Sequence, residues 1–364
     1  MTDTLITDRT DLPTGPLLLR RVTGVRADTG SVTLDIDALP GVQVGVMPGW
    51  LTGEPVGDQG IETLLPNLPV IPLPPTDVTP FTLRVTAPQP GCLRLVLAPR
   101  GSPVLADDGT GLGIVTSAAP APAALEVREE QGTVVIDGPR VRLAVGTAPF
   151  ALVLTDPATG QVILRTADRP RQVAGLLTAP TAVAASASLT LNLELAADED
   201  VLGFGEQFGR LVKNGQRLRL RTEDACGTGT GLAYKPVPVW HSSRGYTGFL
   251  NTGAVVNADV GHTRPSVVGL QVEDPALDLY LIADADPAAR LTAYTALTGR
   301  PDVPPLWAFG YWIGRCRYHS RDEALAVARS MRAHHVPLDV LHLDPDWLVV
   351  DRLNTDFIWN TDRF

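Results

Sequence analysis

The sequence predicts an antiparallel β-sandwich followed by the start of an α/β domain. From about residue 16 to residue 290, apolar and polar residues alternate in short runs that end in Gly, Pro or Asp, as in half-buried strands. After residue 297 this alternation gives way to an apolar run, a helical pattern and a second apolar run. Because helical periodicity is nearly absent from the first part, that part is expected to form antiparallel sheets packed face to face.

Short β-branched segments separated by turn residues predict the individual strands. They are SVTLDIDAL, FTLRVTAP, CLRLVLAP, GTVVIDG, VRLAVG, FALVLTD, QVILRTA and SLTLNLELA. TDPATGQ, at 155–161, places Pro and Gly at turn positions and predicts a hairpin. The prolines of LLPNLPVIPLPP, at 64–75, exclude a helix or a central strand and predict an extended excursion, with a proline-rich binding motif as the alternative.

The second part has the pattern of a strand, a helix and a strand. LWAFGYWI at 306–313 and LDVLHL at 338–343 each predict a strand buried on both faces. The intervening helix is indicated by a shared apolar face and by Ser320 and Glu323 at capping-box spacing. The strands of such a βαβ unit are parallel, so Asp344 is expected at the carboxyl edge, where α/β proteins bind ligands.

Composition and charge exclude several function classes. The net charge of −10, the pI of about 5.1 and the lack of a long Lys/Arg cluster argue against nucleic acid and against an anionic membrane surface as partners. No apolar run approaches the ~20 residues of a membrane helix. The start, MTDTLITDRTDLPTG, lacks the basic and apolar regions of a secretory signal, which predicts a cytoplasmic protein.

The metal-ligating residue types are too scattered to predict a metal site or another cofactor. Cys92, Cys226 and Cys316 are far apart in sequence, and none of the six histidines belongs to an HExxH motif or a Cys/His cluster. Each cysteine is therefore expected to be a small core residue.

The turn after the second apolar run, Asp-Pro-Asp-Trp, has two interpretations. In one, Asp344 caps a helical turn that begins at Pro345. In the other, its carboxylate accepts hydrogen bonds from two adjacent sugar hydroxyls while Trp347 offers a flat apolar face. Trp347 taken alone is more often a core residue. Arg315 and Arg317 either pair with carboxylates at this edge or are solvated loop charges.

Four segments together resemble the family 31 glycoside hydrolases, especially their α-xylosidase branch. They are GFGEQFGRLVKNGQ at 203–216, AYKPVPVWHSSRGYTGFLN at 233–251, LTGRPDVPPLWAFGYW at 297–312 and SRDEALAVARSMRAHHVPLDVLHLDPDW at 320–347. The resemblance implies a galactose-mutarotase-like antiparallel β-sandwich over residues 1–298. It implies the first two βα units of a truncated TIM (β/α)8 barrel over residues 299–364.

The resemblance also implies a function and a set of substrate-binding residues. Members hydrolyse terminal α-xylosyl or α-glucosyl bonds with retention, using two aspartates. Asp344 matches the aspartate that binds the sugar in the −1 subsite, with Trp347 beside it, and Asp224 is the nearest match to an acidic residue on a sandwich loop that reaches the site. Arg317 and Asp346 stand where the α-xylosidases carry aromatic residues that line the sugar site.

The catalytic aspartates are expected outside the 364 residues. A TIM barrel needs about 250 residues, whereas residues 304–364 suffice for two βα units. In the family the nucleophile follows the fourth barrel strand and the acid/base comes later. No carboxylate of this chain is therefore assigned to catalysis, and residues 1–364 alone are expected to show no turnover.

Three hypotheses about function follow from the sequence. The first is the amino-terminal part of an α-glycosidase, and the second is a non-catalytic carbohydrate-binding module or pseudoenzyme fragment. The third is a structural part that pairs with a separate chain carrying the rest of the barrel. The expected partner is an α-glycoside carbohydrate in the first two cases, and the resemblance implies that a homo-oligomer can form.

Overall fold

The structure is a computed structural model that describes residues 17–43, 70–72, 78–116, 122–167, 182–185, 187–349 and 357–364. The chain divides into two compact units, Met1–Gly299 and Arg300–Phe364. Among the described residues, no helix has both the length and the apolar character that a membrane span requires.

Antiparallel strands make up the first unit. The strands, in chain order, are β1 (Leu17–Asp28), β2 (Ser31–Gln43), β3 (Val70–Pro72), β4 (Thr79–Gln89), β5 (Cys92–Pro99), β6 (Glu126–Glu130), β7 (Thr133–Asp137), β8 (Arg142–Thr147), β9 (Phe150–Thr155), β10 (Val162–Arg165), β11 (Ala182–Ala185), β12 (Ser188–Glu194), β13 (Val201–Gly205), β14 (Gln216–Leu220), β15 (Pro236–Ser242), β16 (Tyr246–Leu250), β17 (Val256–Val260), β18 (Val267–Val272) and β19 (Leu277–Ala283). A short 3-10 helix covers Pro103–Leu105, and helix α1 covers Pro287–Thr298.

Two sheets contain these strands. The larger follows the order β13-β15-β16-β19-β5-β4-β2-β1-β11-β12-β18-β17-β14, with β3 attached to β2, and the smaller follows β10-β9-β8-β7-β6. Each of the eight strand segments predicted from the sequence forms a strand, and β9 and β10 form the predicted hairpin. Val70–Pro72 pairs with β2, while the rest of the proline-rich stretch 64–75 lies outside the described residues.

One apolar core lies between the two sheets, which confirms the predicted sandwich. The same buried cluster contains Leu34 and Leu83 from the larger sheet together with Val134 and Leu143 from the smaller one. Along β9, buried and partly exposed side chains alternate, as expected for a strand with one face on the core. In contrast, β16 and β19 are buried along their whole length.

The outer face of β16 and β19 is covered by helix α1. Phe249 and Tyr280 pack there with Leu297 and Tyr294 of that helix. Phe249 contacts Tyr280 with ring centroids 5.4 Å apart and meets Tyr294 edge-on at the same distance. Asp286 caps the helix, since its side chain accepts a hydrogen bond from the backbone N–H of Ala288.

A buried ion pair joins β5 to β19. Arg94 donates from Nε and Nη2 to the two carboxylate oxygens of Asp278, at 2.8 and 2.9 Å. Asn251 donates to the same carboxylate at 2.9 Å, and Arg94 also donates to the backbone carbonyl of Asp107 at 2.7 Å. Both charges are therefore compensated by direct hydrogen bonds, as buried charges require.

The three cysteines differ in environment. Cys92 at the start of β5 is buried, as predicted. The prediction was wrong for Cys226 and Cys316, which are exposed. Cys226 lies in a glycine-rich loop and Cys316 follows a short strand, so neither position faces an apolar core.

The second unit contains the predicted βαβ arrangement. Strand β20 (Trp312–Gly314) is followed by helix α2 (Arg321–Ala333) and strand β21 (Val340–His342), and the two strands pair in parallel. Ser320 is the N-cap of this helix, as predicted: its hydroxyl accepts a hydrogen bond from the backbone N–H of Glu323 at 3.2 Å, while the Glu323 carboxylate accepts from the His319 N–H and not from that of Ser320.

The prediction of a strand over 306–313 was wrong for its first half. Leu306–Phe309 forms a 3-10 helix in which the Ala308 N–H donates to the Pro305 carbonyl. Leu306 is 87% exposed and Phe309 71%, so the run is not buried on both faces. The residues of β21 are also partly exposed. The described residues of this unit contain a single α-helix, so a barrel with a second complete βα unit stays a prediction.

Candidate functional site

The carboxyl ends of the two parallel strands lie at one edge of the second unit. The loop 315–319 follows β20, and the turn 344–347 follows β21. Because parallel strands end at the same edge of their sheet, the side chains of this loop and this turn are brought together. Four of the five substrate-binding residues predicted from the sequence, Asp344, Asp346, Trp347 and Arg317, belong to these two segments.

Asp344 has an exposed carboxylate. It precedes the 3-10 helix Pro345–Trp347 at the N-cap position, with φ −95° and ψ 176°, but its side chain makes no capping hydrogen bond. Within the described part of the chain its carboxylate has no hydrogen bond or ion pair, and the residue is exposed. The capping interpretation therefore accounts for the backbone of Asp344 and leaves both carboxylate oxygens available to a ligand.

Asp346, two residues further on, is buried, and both of its carboxylate oxygens have partners. It is only 5% exposed, and its oxygens are occupied separately. Arg317 donates from Nη1 to Oδ1 at 3.2 Å, and His319 Nδ1 lies 3.1 Å from Oδ2. This carboxylate links the loop 315–319 to the turn 344–347, and neither of its oxygens faces an open position.

The loop after β20 is held from its other side by helix α2. Arg315 forms an ion pair with Glu323 in the first turn of the helix, and its Nε donates to the Arg317 carbonyl at 2.8 Å. Glu323 also accepts a hydrogen bond from the His319 backbone N–H at 2.7 Å. The guanidinium of Arg315 lies 4.6 Å from the ring centroid of Tyr318, a cation–π contact.

This arrangement answers the question that the sequence left open for the two arginines. Both pair with carboxylates, Arg315 with the helix and Arg317 with the turn. Sequence reasoning did not single out His319 or Glu323 as partners at this edge. The available signal was the pattern RCRYH directly before a capped helix, which places basic side chains beside the helix amino terminus and the following strand end.

Trp347 belongs to an aromatic cluster. Its ring centroid lies 4.7 Å from that of Trp359 and 6.1 Å from that of Phe357, while Trp359 in turn contacts Phe364. The Asn360 N–H donates to the Trp347 carbonyl at 2.8 Å, so the segment 357–364 is attached to the turn. Trp347 is half-buried, whereas Phe357 and Trp359 are exposed. The sequence analysis did not identify these two aromatic residues.

Asp224, the remaining predicted site residue, lies on an exposed loop of the first unit. Its Oδ1 accepts hydrogen bonds from the Tyr234 hydroxyl at 2.5 Å and from the Cys226 N–H at 3.2 Å, and the Cys226 thiol lies 3.2 Å away. The hydrogen bond from Tyr234 is the main reason that the pKa of Asp224 is lowered from its ordinary value. The loop is closed at its base, where Thr222 pairs with Ala233.

A β-sandwich is followed in this chain by a parallel βαβ unit that has an exposed carboxylate and aromatic rings at its carboxyl edge, groups of the kind that bind carbohydrate. The model of the glycosyl hydrolase 31 N-terminal galactose mutarotase-like domain matches residues 82–259. The model of the glycosyl hydrolases family 31 TIM-barrel domain matches residues 301–364. Together they cover about two thirds of the chain, and the chain belongs to glycosyl hydrolase family 31.

Curated relatives include two α-xylosidases. Alpha-xylosidase XylQ of Lactiplantibacillus pentosus is 36% identical over 157 residues, which cover 43% of this chain and 20% of the relative. An alpha-xylosidase of Emericella nidulans is 33% identical over 174 residues, covering 47% of this chain and 22% of the relative. The matched region thus spans about a fifth of the length of these relatives.

Solved structures share the fold at low sequence identity. The GH31 dextranase FjDex31A of Flavobacterium johnsoniae superposes with a TM-score of 0.71 and 19% identity, over 95% of this chain and 36% of the dextranase. A GH31 α-xylosidase from a soil metagenome has a TM-score of 0.62 and 18% identity, over 88% of this chain and 41% of that enzyme. At this identity the likeness establishes the fold.

Proposed function

We propose that residues 1–364 form the amino-terminal, sugar-binding part of a retaining α-glycosidase acting on terminal α-xylosyl or α-glucosyl bonds. Membership of glycosyl hydrolase family 31 and the two α-xylosidase relatives support this reaction class. The observation that carries the proposal is the free carboxylate of Asp344 at the carboxyl edge of β21. An ionised carboxylate accepts hydrogen bonds only, so Asp344 is suited to two neighbouring hydroxyls of a sugar ring.

The chemistry requires two further carboxyl groups, which we assign to residues outside these 364. Retaining hydrolysis uses a nucleophile and an acid/base about 5 to 5.5 Å apart. Of the two carboxylates in the turn 344–347, Asp346 is already bound to Arg317 and His319, which leaves Asp344 alone. A single free carboxylate supports substrate binding, and the expectation that residues 1–364 alone show no turnover is part of this proposal.

The roles proposed for the other predicted residues differ from one another. Arg317 and His319, held by Asp346, present donors at the rim of the sugar site, while Asp346 itself positions them. Trp347 supports Trp359, whose exposed ring is the apolar surface available to the C–H face of a sugar. The cytoplasmic location and the homo-oligomer stay predictions.

A second candidate is a non-catalytic carbohydrate-binding protein. The exposed rings of Phe357 and Trp359 favour it, because aromatic surfaces bind sugars without needing a catalytic pair. The two candidates differ in what they require of Asp344. A surface that binds through its rings tolerates Asp344→Asn, whereas a −1 subsite does not.

The test compares hydrolysis of aryl α-xylosides and α-glucosides by the protein purified from its source and by residues 1–364 alone. For the source protein we expect release of the α-anomer, and for Asp344→Asn a fall in kcat/KM of about 100-fold or more, since charge-assisted hydrogen bonds to substrate are lost. Asp156→Asn, a change at a partly exposed aspartate in a hairpin turn of the first unit, is the control. Turnover by residues 1–364 alone would overturn the assignment of the catalytic carboxyls, and an inactive source protein that still binds xylosides would favour the second candidate.

A further inference from the structure

Arg290, in helix α1 of the first unit, is a buried cation that has no carboxylate partner among the described residues. The residue is only 5% exposed. Its Nη1 donates to the backbone carbonyls of Asp284 at 2.5 Å and Ala285 at 3.3 Å. In the described part of the chain, its Nε is buried without a hydrogen-bond partner. Buried charges are normally compensated by an opposite charge, so this guanidinium lacks the partner that its burial calls for.

The acidic side chains nearest to Arg290 in sequence are bound to other groups. Asp284 pairs with Arg140 at 2.7 Å and accepts the Asp286 N–H at 2.9 Å. Asp286 in turn accepts the Ala288 N–H at 2.9 Å, as the cap of the helix. These carboxylates oppose the effect of burial, but burial is the largest cause and lowers the pKa of Arg290.

Arg94 shows what the unoccupied edge of such a guanidinium binds. Its Nη1 also donates to a backbone carbonyl, that of Asp107, at 2.7 Å. Its Nε and Nη2 hold the two carboxylate oxygens of Asp278 at 2.8 and 2.9 Å. In Arg290 the same Nη1 is held by backbone carbonyls, whereas the edge formed by Nε and Nη2 has no described partner. That edge matches the spacing of two carboxylate oxygens.

His241 of β15 lies on the sheet face that helix α1 covers. It stands opposite Thr247, which stands opposite Ile282, and residues paired in this way point to the same face. Ile282 packs against Leu297 of the helix. His241 Nδ1 lies 2.8 Å from the Thr247 hydroxyl, while Nε2 has no partner among the described residues. The pKa of His241 is lowered by burial first and then by the charge of Arg290, so the two groups are close enough to interact.

We propose that the Nε–Nη2 edge of Arg290 and the imidazole of His241 form a binding site for a small carboxylate anion. The guanidinium supplies two parallel donors, and His241 supplies a third when it is protonated. His241 is partly exposed, which gives the anion access from the side of β15. This site lies entirely within the first unit and does not depend on the proposed function.

A bound carboxylate should change the titration of His241. The imidazolium would gain an opposite charge, so its pKa should rise and the anion should bind more tightly as the pH falls through that pKa. The other residues in the same row across the sheet add no charge: they are Leu202, Thr247, Ile282 and Cys92, whose buried thiol has a raised pKa. The charged groups around His241 are therefore Arg290 and, beyond it, the paired Asp284 and the capping Asp286.

The experiment follows the histidine ring resonances of the 364-residue chain by NMR while sodium acetate replaces sodium chloride at constant ionic strength. His241→Gln assigns the resonance of His241. We expect acetate to raise the pKa of His241 and the Tm of the chain, since a ligand of the native state stabilises it. Arg290→Lys keeps the charge but loses the two-pronged edge and should weaken acetate binding about tenfold. Arg21→Lys, at a position that is 64% exposed, is the control and should leave it unchanged.

His241→Gln provides a second test, because the position is partly exposed and the test stays decisive if Arg290→Lys does not fold. Acetate should bind this variant more weakly and without dependence on pH. The same Tm and the same His241 titration in acetate and in chloride would overturn the proposal, since only general screening would then be present. Full acetate affinity in Arg290→Lys would place the anion elsewhere. Unchanged, pH-dependent binding in His241→Gln would exclude the imidazole from the site.

Discussion

Arg317 donates to Oδ1 of Asp346 across 3.2 Å, and this contact joins the loop after β20 to the turn after β21. The resemblance to the α-xylosidases places aromatic residues at both positions. In this chain the two positions carry opposite charges that contact each other directly. At the edge where a sugar is expected, this chain therefore has a polar rim with the carboxylate buried and the guanidinium 58% exposed.

Removing the buried carboxylate should loosen this edge. We expect Asp346→Ala to lower the free energy of unfolding of the second unit by about 1 kcal/mol, since its partners can be resolvated. The effect should be concentrated in faster hydrogen exchange of amides in the segments 315–319 and 345–348. Asp344→Ala, which removes a free and exposed carboxylate two residues away, is the control and should leave exchange unchanged. Equal exchange in both variants would contradict the linking role of Asp346.

Breaking the buried pair of Arg94 and Asp278 should destabilise the first unit strongly. Asp278→Ala removes the carboxylate that accepts two hydrogen bonds from the buried Arg94, leaves only the partly exposed Asp107 carboxylate 3.6 Å away, and is expected to cost about 3 kcal/mol in urea denaturation. Asp37→Ala breaks a pair whose Arg21 is 64% exposed, and it should cost less than about 1 kcal/mol. A similar loss of unfolding free energy in both variants would mean that burial does not increase the contribution of the Arg94–Asp278 pair to stability.

Acid stability of the sandwich should depend on Asp35. The hydrogen bond from Arg26 is the largest cause that lowers the pKa of Asp35, with a further contribution from Arg100. Because the folded pKa lies below the unfolded one, the unfolded chain binds more protons between the two values. This stabilisation is complete above about pH 4 and is lost as the pH falls through the folded pKa.

The prediction is tested with thermal unfolding between about pH 6 and about pH 2.5. Arg26→Ala raises the pKa of Asp35 and should flatten the loss of Tm toward acid pH. In an Asp35→Asn background the same arginine substitution should leave the pH dependence unaltered. A pH dependence that changes equally in the two backgrounds would assign the effect to another carboxylate.

Helix α2 should depend on its amino-terminal cap. Ser320→Ala removes the hydroxyl that accepts the Glu323 N–H and is expected to destabilise the second unit by about 1 kcal/mol. Ser330→Ala, near the other end of the same helix, should be neutral or slightly stabilising, because alanine has the higher helix propensity. Circular dichroism of the two variants during thermal unfolding distinguishes these expectations.

The strands of the sandwich could be predicted because the alternation of apolar and polar residues, and the turn residues between strands, are visible within a few positions of the sequence. The same reasoning was wrong at 306–313, where an apolar run was assigned to a buried strand. Pro304 and Pro305 precede a 3-10 turn there, and an apolar run by itself does not distinguish a buried strand from an exposed turn. The pairing of the short strand β3 with β2 was similarly not predicted from composition.

The site was predicted at the level of its segments but not of its hydrogen bonds. The position of Asp344 at the carboxyl edge was predicted from the end of the preceding apolar run, which is local sequence information. The difference between Asp344 and Asp346 depends on Arg317 and His319, which lie 29 and 27 positions before Asp346. The contact between Tyr234 and Asp224 depends in the same way on closure of a loop. Such pairings are set by tertiary structure, and residue types alone do not reveal them.

The order of strands in the larger sheet has a consequence for synthesis. Strand β5, at Cys92–Pro99, lies directly beside β19, at Leu277–Ala283, so the middle of the sheet cannot close until most of the first unit has left the ribosome. During that interval β5 can pair with β4 on one edge, but its other edge, which pairs with β19 in the folded protein, stays unpaired. Non-local pairing of this kind slows folding and leaves strand edges open to other chains. The yield of folded protein should therefore respond to translation speed and to chaperone supply more strongly than to changes on the finished surface.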